Sequence, residues 1–384
     1  MTHVVEINSW DELLPFVPDW DSLLQQTPGA SFYQSLDWLG CFWRHFHDGT
    51  TLRVLIVRDG DTTTGILPLI VVRERTRLGW FHLLTYPLRD WATFYGPIGP
   101  RPEATLTAGL RHVCATPRHW DVLDLRCTDQ RADQNGTPNA MRNNGLPVSE
   151  SLWKVTDLVE FQGSWDEYLA SRTQKFRENL RRSHHRALRL GDVVYERHRP
   201  RGAAAGDGDP NWALYDECVE LSRRTWQGAC PYATSLSHPE VRDFFRDSHA
   251  AATARGAADI NVLRINGRAV AFAYNYVFAG ATIGVRTGYD PEFAAVSPGS
   301  LLFSFLVRDG FARQDKSLDL GTDRYDFKRH WCTHRVPVLR YAHYRINSPR
   351  TQLLRWKRRL FPRMAETRLD RCKVEQSSPA SADN

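Results

Sequence analysis

Three short motifs occur in the same order in both halves of this 384-residue chain, and they constrain the fold more than any other feature. The pairs are Trp10–Leu14 with Trp165–Leu169, the turn Asp59-Gly60 with Asn266-Gly267, and Val122–Leu125 with Ser317–Leu320. A motif order that repeats in this way indicates duplication of one structural unit. Single cores also rarely grow beyond about 250–300 residues. We therefore predict two tandem domains of the same class.

The two Gly turns predict antiparallel hairpins. Apolar runs at 52–57 and 65–72 flank Asp59-Gly60, and similar runs flank Asn266-Gly267. These dipeptides between apolar runs are typical of two-residue hairpin turns, because Gly and Asn accept a positive φ. Helices are predicted at 31–47, with Ser35 as an N-cap, and at 102–116. The predicted fold class is α/β (α+β), with a mixed, mainly antiparallel sheet flanked by helices in each domain.

The domain boundaries follow from these repeats. We place an N-terminal domain at 1–155 and a C-terminal, catalytic domain at 156–348. Residues 200–210 are rich in Ala, Gly and Asp, which favours a flexible insertion. The remainder, 349–384, is predicted to form a basic amphipathic helix and a polar, disordered tail.

The composition narrows the class of protein. The longest apolar runs fall far short of the roughly 20 residues that span a bilayer, and the acidic N-terminus does not resemble a signal peptide. Seven cysteines form no C-x-x-C pair, so we expect a reducing, cytoplasmic setting without disulfides. The fourteen histidines include no H-E-x-x-H motif, so a metal enzyme is not indicated and we expect no metal.

The segment from 281 to 301 is the first candidate for a binding site. A strand at 281–286 is followed by Pro291, which prevents a regular helix, and then by Ser297, an N-cap candidate, and Pro298. Such a helix start leaves backbone amides free at Gly299, Ser300 and Leu301. Free amides and the positive end of the helix dipole favour a pyrophosphate. The alternative is that this turn only begins a core helix.

Polar residues follow the next predicted strand, which ends near Gly321. Asp319, Tyr325 and Lys328 are expected to gather near the Ser297 turn, because ligands bind beyond the carboxyl ends of strands in α/β domains. A phenol can protonate a leaving thiolate, and an ammonium can polarise a carbonyl or hold an anion. Each residue also has a purely structural interpretation. Asp319 could be a hydrogen-bonded strand residue, Tyr325 a packed aromatic and Lys328 a solvated surface charge.

The same residues carry a family resemblance. The chain resembles the GNAT-type acetyltransferases of the cellulose-biosynthesis (CelD/BcsL-like) group over roughly residues 30–346. The segments that carry the resemblance are 32–39, 65–69, 175–182, 221–226, 268–272, 289–302, 318–321 and 325–328.

The resemblance implies a double-GNAT fold similar to that of the FemABX peptidyltransferases, and acetyl-CoA or another acyl-CoA as co-substrate. It implies that the pyrophosphate lies on the turn, and that the strand at 284–288 follows the pantetheine. The residues implied in donor binding are Ser297, Pro298, Gly299, Ser300, Leu301, Gly284, Val285 and Arg286. Lys328 matches the family's lysine near the acceptor. The turn departs from the usual Q/R-x-x-G-x-G/A sequence, so the identity of the acyl group on the CoA donor is left open.

The proposed chemistry needs no covalent intermediate. Donor and acceptor are held in one crevice, which lowers the entropic cost of their encounter. Backbone groups at the splayed strand stabilise the oxyanion. We take Asp319, or Asp323 acting through a water, as the base, and Tyr325 as the acid.

Two basic segments accompany this site. Residues 172–190 form either a solvated helix face or an anion platform for CoA phosphates or a charged acceptor. Residues 350–364 form a basic amphipathic helix that either packs on its own domain or contacts an anionic membrane. No motif for nucleic-acid recognition accompanies either segment.

Three functions remain open from the sequence. The first is an acyl-CoA-dependent N- or O-acyltransferase acting on a small molecule, a sugar or a polysaccharide precursor. The second is a FemABX-like ligase that uses aminoacyl-tRNA. The third is a non-catalytic scaffold in polysaccharide biosynthesis.

Overall fold

The computed structural model describes residues 2–88, 91–225, 228, 235–322 and 326–360. The strands are β1 Thr2–Ile7, β2 Thr50–Asp59, β3 Thr62–Thr76, β4 Gly79–Thr85, β5 Val122–Asp129, β6 Ser149–Glu160, β7 Val193–His198, β8 Ala258–Ile265, β9 Arg268–Phe278, β10 Ala281–Tyr289, β11 Ser317–Asp319 and β12 His334–Tyr344. The helices are α1 Val17–Gln25, α2 Leu36–Phe46, α3 Pro102–Ala115, α4 Gln130–Asp133, α5 Gly136–Asn143, α6 Trp165–Ala170, α7 Gln174–Leu188, α8 Trp212–Arg224, α9 Arg242–Ala254, α10 Pro298–Ala312, α11 Asp326–Trp331 and α12 Pro349–Leu360.

These elements fall into two compact units. The first holds residues 2–155 and 336–360, and the second holds 156–335. In the first unit the strands lie in the order β1-β2-β3-β4-β5-β12, with β4 and β5 parallel. In the second the order is β6-β11-β10-β9-β8-β7, with β10 and β11 parallel. Most other pairs are antiparallel, so the predicted α/β class with mixed sheets is confirmed.

The local signals in the sequence produce the expected elements. Ser35 caps α2, since its hydroxyl accepts a hydrogen bond from the Trp38 amide at 3.1 Å. The hairpin between β8 and β9 turns at Asn266 and Gly267, both with positive φ, of 50° and 76°. Residues 200–210 contain a closed loop, in which Gly202 and Asp207 exchange backbone hydrogen bonds.

The structure differs from the prediction at residues 336–348, which we assigned to the second domain. They belong to the first unit, where β12 pairs antiparallel with β5. Arg340 on β12 makes a bidentate ion pair with the buried Asp124 of β5, with distances of 2.6 and 2.7 Å. Burial alone would raise the pKa of Asp124, but Arg126 and Arg340 hold it well below its usual range. This buried pairing ties β12 to β5 and could not be inferred from local sequence.

Helices cover both faces of the sheet in the second unit. Leu263, Ala271 and Ala273 share a buried cluster with Leu301 and Leu306 of α10. Tyr274, adjacent to Ala273 in the chain, contacts Tyr215 of α8. Since neighbouring side chains on a strand point to opposite faces, α10 and α8 pack on opposite sides. The face that carries α10 is the one that holds the candidate site.

A histidine is buried on the α8 face. His249 of α9 is fully buried and stacks on Tyr215 with ring centroids 4.5 Å apart. Its Nε2 has no hydrogen-bond partner among the described residues. Burial, with His198 and Arg246 nearby, lowers its pKa from 6.5 to about 4. The fold therefore requires a neutral imidazole at this position.

The depressed pKa of His249 predicts acid sensitivity. The unfolded chain takes up this proton near pH 6.5 and the folded chain only near pH 4. His249 therefore does not lower the free energy of unfolding above pH 6.5. As the pH falls from 6.5 to about 4, the free energy of unfolding decreases by roughly 3 kcal/mol, because only the unfolded chain binds the proton in this range. We expect His249→Phe, which keeps the stacking, to flatten the pH dependence of the free energy of unfolding in denaturant titrations. The exposed His119 is the control, and an equal change in His119→Phe would contradict this assignment.

Candidate active site

The connection between β10 and α10 forms one side of the candidate site. After β10, residues Pro291–Val296 form a 3-10 helix, so Pro291 accompanies a break in regular structure as predicted. Asp290 caps this turn, since its Oδ1 accepts a hydrogen bond from the Glu292 amide at 3.1 Å. Pro298 then occupies the first position of α10, which confirms the predicted helix start.

Ser297 holds the N-cap position in a conformation that the sequence did not predict. Its backbone is left-handed, with φ 52° and ψ 57°, and its side chain makes no capping hydrogen bond. The Cβ of an L-residue has a steric cost in this conformation, and Gly, which has no Cβ, avoids it. Non-Gly residues in this region concentrate at functional sites, where the surrounding structure holds them.

The amides at the start of α10 are not all available, which corrects one expectation. The Leu301 amide donates to the Ser297 carbonyl at 3.2 Å and closes the first helical turn. The amides of Gly299 and Ser300 have no acceptor within the described part of the chain. The predicted group of three free amides is therefore reduced to two.

A cavity of about 920 Å³ opens beside this helix start. Its described lining comes from α7, the start of α10 and the end of α11, and consists of Phe176, Asn179, Leu180, Arg182, Ser183, His185, Arg186, Arg189, Ser297, Ser300, His330 and Trp331. Three of these residues are arginines and none is acidic. The cavity therefore carries a positive charge that suits an anionic ligand.

The structure of α7 explains why its arginines reach the cavity. Thr173 caps the helix through a hydrogen bond from the Phe176 amide, at 3.3 Å. Ser183 and Ala187 are buried, which leaves the basic positions on the outer side. Arg182 pairs with Glu178 at 3.1 Å, and Arg186 donates to the Ser183 hydroxyl at 3.3 Å.

Two aromatic residues at the end of α11 complete the cavity and were missed by sequence reasoning. Phe176 stacks on His330 with ring centroids 5.8 Å apart and meets Trp331 edge-on at 4.9 Å. Trp331 is fully buried, and its Nε1 has no acceptor among the described residues. The only signal in the sequence was the aromatic character of 330–331, which does not indicate proximity to α7.

The strand predicted to follow the pantetheine has an irregular edge. β10 and β11 pair in parallel over three residues, ending at Ile283 and Asp319, although β10 continues to Tyr289. A bulge at Val285 interrupts the pairing of β10 with β9. At Gly284 an added Cβ would lie 3.0 Å from the Asp319 carbonyl oxygen, so glycine permits the close approach of the two strands.

The side chain of Arg286, which was predicted to bind the donor, packs its guanidinium over the Phe245 ring, 4.9 Å from the ring centroid.

The predicted catalytic residues lie at the end of β11. Asp319 is buried, and its Oδ1 accepts hydrogen bonds from the Thr156 hydroxyl and from the Gly321 amide, the latter at 2.8 Å. Lys328 is also buried, and an added Cβ at Gly321 would lie 3.4 Å from its Nζ. Neither side chain is among the described residues that line the cavity. Tyr325, like the alternative base Asp323, lies outside the described residues.

Among the described residues, no cluster of three or more His, Cys, Asp or Glu side chains could hold a metal ion.

The start of α10 thus borders a positively charged cavity, and no described strand pairs with β10 beyond Ile283 on the β11 side. Residues 174–329, which include α7, β10 and α10, match the family described as Acetyltransferase (GNAT) domain. The chain is therefore an enzyme of the acyltransferase class. Among curated proteins, none matches this sequence significantly.

Several solved structures share the fold over most of the chain. A protein named FemX is 11% identical, with a TM-score of 0.60, and the match covers 93% of this chain and 99% of that one. The C-terminal domain of a putative lysylphosphatidylglycerol synthetase from Agrobacterium fabrum is 12% identical, with a TM-score of 0.51 and coverage of 90% and 96%. L-PGS from Bacillus licheniformis is 14% identical, with a TM-score of 0.52 and coverage of 89% and 96%. At these identities the likeness shows the fold alone.

The left-handed conformation of Ser297 predicts a stabilising substitution. Gly has no Cβ penalty at positive φ, so we expect Ser297→Gly to raise the free energy of unfolding by about 1 kcal/mol. Ser300→Gly, in the regular first turn of α10, should lower it by about 0.5 kcal/mol. Denaturant titrations of both variants measure these two changes in the free energy of unfolding. A destabilising Ser297→Gly would contradict the strained turn.

Proposed function

We propose that the second unit transfers an acyl group from an acyl-CoA to an amine or a hydroxyl. The observation that carries this proposal is the pair of unbonded amides at Gly299 and Ser300, at a helix start that borders an arginine-lined cavity. Backbone amides at a helix N-terminus are suited to phosphate groups. The match of this segment to the GNAT acetyltransferase domain supports CoA as the source of those phosphates.

The residues present fit a pyrophosphate. Pro298 has no N–H to satisfy, so the amides of Gly299 and Ser300 are the donors at the start of α10. An added Cβ at Gly299 would meet only the Tyr289 ring, at 3.7 Å, so the backbone is open to close approach. Arg186 and Arg189 supply positive charge from α7 on the other side of the cavity. Charge-assisted hydrogen bonds of this kind are about twice as strong as neutral ones.

The edge of β10 is suited to the pantetheine, the linear part of an acyl-CoA donor. Beyond Ile283 no described strand pairs with β10 on the β11 side, so the ladder with β11 does not use the backbone groups of β10 from Gly284 onward. The bulge at Val285 leaves a residue out of the β9 ladder. We assign the binding of the pantetheine amides to this backbone. Any role of Arg286 would come from its main chain, because its side chain packs on Phe245.

The donor supplies an activated thioester. A nitrogen or oxygen of the acceptor forms the new bond to the acyl carbon, the carbon–sulfur bond breaks, and the proton of the acceptor ends on the CoA thiol. We propose Asp319 as the base and Tyr325 as the acid, with Lys328 holding or polarising the acceptor. The hydrogen bonds from Thr156 and Gly321 fix the Asp319 carboxylate at the end of β11.

The acceptor is proposed from sequence resemblance. The similarity to the cellulose-biosynthesis (CelD/BcsL-like) group supports a saccharide amine or hydroxyl, with acetyl-CoA as the first donor to test. We propose a cytoplasmic location, where acyl-CoA is available. The free Cys41, Cys114, Cys127, Cys218 and Cys332 agree with a reducing setting.

Gly299→Asp tests the phosphate site directly. A carboxylate at this position would repel a pyrophosphate, yet an acidic residue in the first turn stabilises a helix. We therefore expect calorimetry to show loss of CoA binding by at least about a hundredfold, which is the loss of two charge-assisted hydrogen bonds. Thermal stability should be unchanged or slightly raised.

Gly299→Ala is the matched control, because it adds the same Cβ without charge. It should retain CoA binding within a few fold. Unchanged affinity in Gly299→Asp would remove this turn from the site. Failure of the parent protein to bind CoA, or to release its thiol with any acceptor, would contradict the proposed donor and favour aminoacyl-tRNA or a scaffold role.

A further inference from the structure

Helix α12 turns an apolar stripe away from the protein. Leu353, Trp356 and Leu360 are 54%, 61% and 65% exposed, whereas Thr351 and Leu354 are buried. At 3.6 residues per turn, the three exposed side chains lie within about 60° of one another, roughly opposite the buried pair. An amphipathic helix that packs on its own domain buries its apolar stripe, and α12 does the reverse.

Specific contacts fix this orientation. Leu354 belongs to a buried cluster with Phe81 and Leu83. The Thr351 hydroxyl donates to the Arg345 carbonyl at 2.6 Å, and Arg358 pairs with Glu74 at 2.9 Å. Rotating the helix to cover Leu353 and Trp356 would break all of these contacts within the first unit. The outward stripe is therefore a defined feature of the fold.

Cations border the stripe on both sides. Helix α12 contains five basic residues and no acid. By the same helical geometry, Arg359 lies along one border, about 60° from Trp356, and Arg350 and Lys357 lie along the other. Arg350, Arg355 and Arg359 are exposed, and Lys357 is partly exposed. Long basic side chains beside an apolar stripe can extend toward phosphate groups while their stems cover apolar surface.

Two further exposed apolar residues adjoin the helix start. Ile346, three residues before α12, is 60% exposed. Trp80 is 48% exposed at the start of β4, and an added Cβ at its neighbour Gly79 would lie 3.8 Å from the Arg350 guanidinium. Arg73 lies over the Trp80 ring, at 4.9 Å. The surface formed by Trp80, Ile346 and α12 thus combines aromatic, aliphatic and basic groups.

We propose that this surface docks on an anionic phospholipid bilayer, with α12 lying parallel to the membrane plane. The apolar stripe enters the boundary between headgroups and acyl chains, and the basic borders meet the lipid phosphates. No helix among the described residues is long and apolar enough to cross a membrane. The absence of acidic side chains from α12 favours an anionic lipid surface as the occupant.

Vesicle flotation of the full-length chain tests the proposal. We expect binding to vesicles of phosphatidylcholine and phosphatidylglycerol in equal amounts, weakened by salt, and little binding to phosphatidylcholine alone. Leu353→Gln with Trp356→Gln should reduce binding at least about tenfold, because two inserted apolar groups are lost. Arg359→Gln should reduce it about fivefold, because one charge on the border of the stripe is lost.

The matched control is Leu14→Gln with Leu152→Gln, two exposed leucines away from α12. It should bind vesicles like the parent protein, and all variants should melt alike because each altered side chain is exposed. Absence of binding at low salt, or equal binding by all variants, would overturn the proposal. A dimer in sedimentation that only the α12 variants dissociate would assign the stripe to a second copy instead.

Discussion

The left-handed turn at Ser297 is the constraint on which the rest of the site depends. It reverses the chain between β10 and α10, so that the amides of Gly299 and Ser300 begin the helix without partners. A regular N-cap would have satisfied one of these donors with the serine hydroxyl. The left-handed backbone at Ser297 thus leaves two hydrogen-bond donors available, where a regular N-cap would leave one. In the rest of the second unit, α7 contributes arginines and α11 contributes aromatic side chains to the cavity beside these amides.

In the proposed site, the surrounding elements would all contact the same ligand. Helix α7 contributes arginines, and α11 contributes the aromatic wall of His330 and Trp331. The early end of β11 leaves the edge of β10 open, and Gly284 allows the strands to approach before they part. The first unit has a different proposed role, because Trp80, Ile346 and α12, which form the proposed membrane surface, all belong to it. Transfer and docking therefore rest on separate residues.

The sequence predicted features that depend on neighbouring residues. Asn266-Gly267 and Pro298 dictate a turn and a helix start through their own backbone preferences, and both were predicted correctly. Features that depend on distant residues were missed. Thr156 and Asp319 are 163 positions apart, and the Asp124–Arg340 pair that draws β12 into the first unit spans 216. The sequence also identified α12 as amphipathic, but only the contacts of Leu354 show which side faces outward.

Hydrogen exchange measured by mass spectrometry, with and without CoA, tests the central claim most directly. If the donor pyrophosphate accepts from the helix start, saturating CoA should slow exchange at the Gly299 and Ser300 amides, which have no acceptor in the described protein. Peptides from β7 serve as a reference and should not change. Binding of CoA that leaves these two amides exchanging at their original rate, with protection elsewhere, would contradict the account.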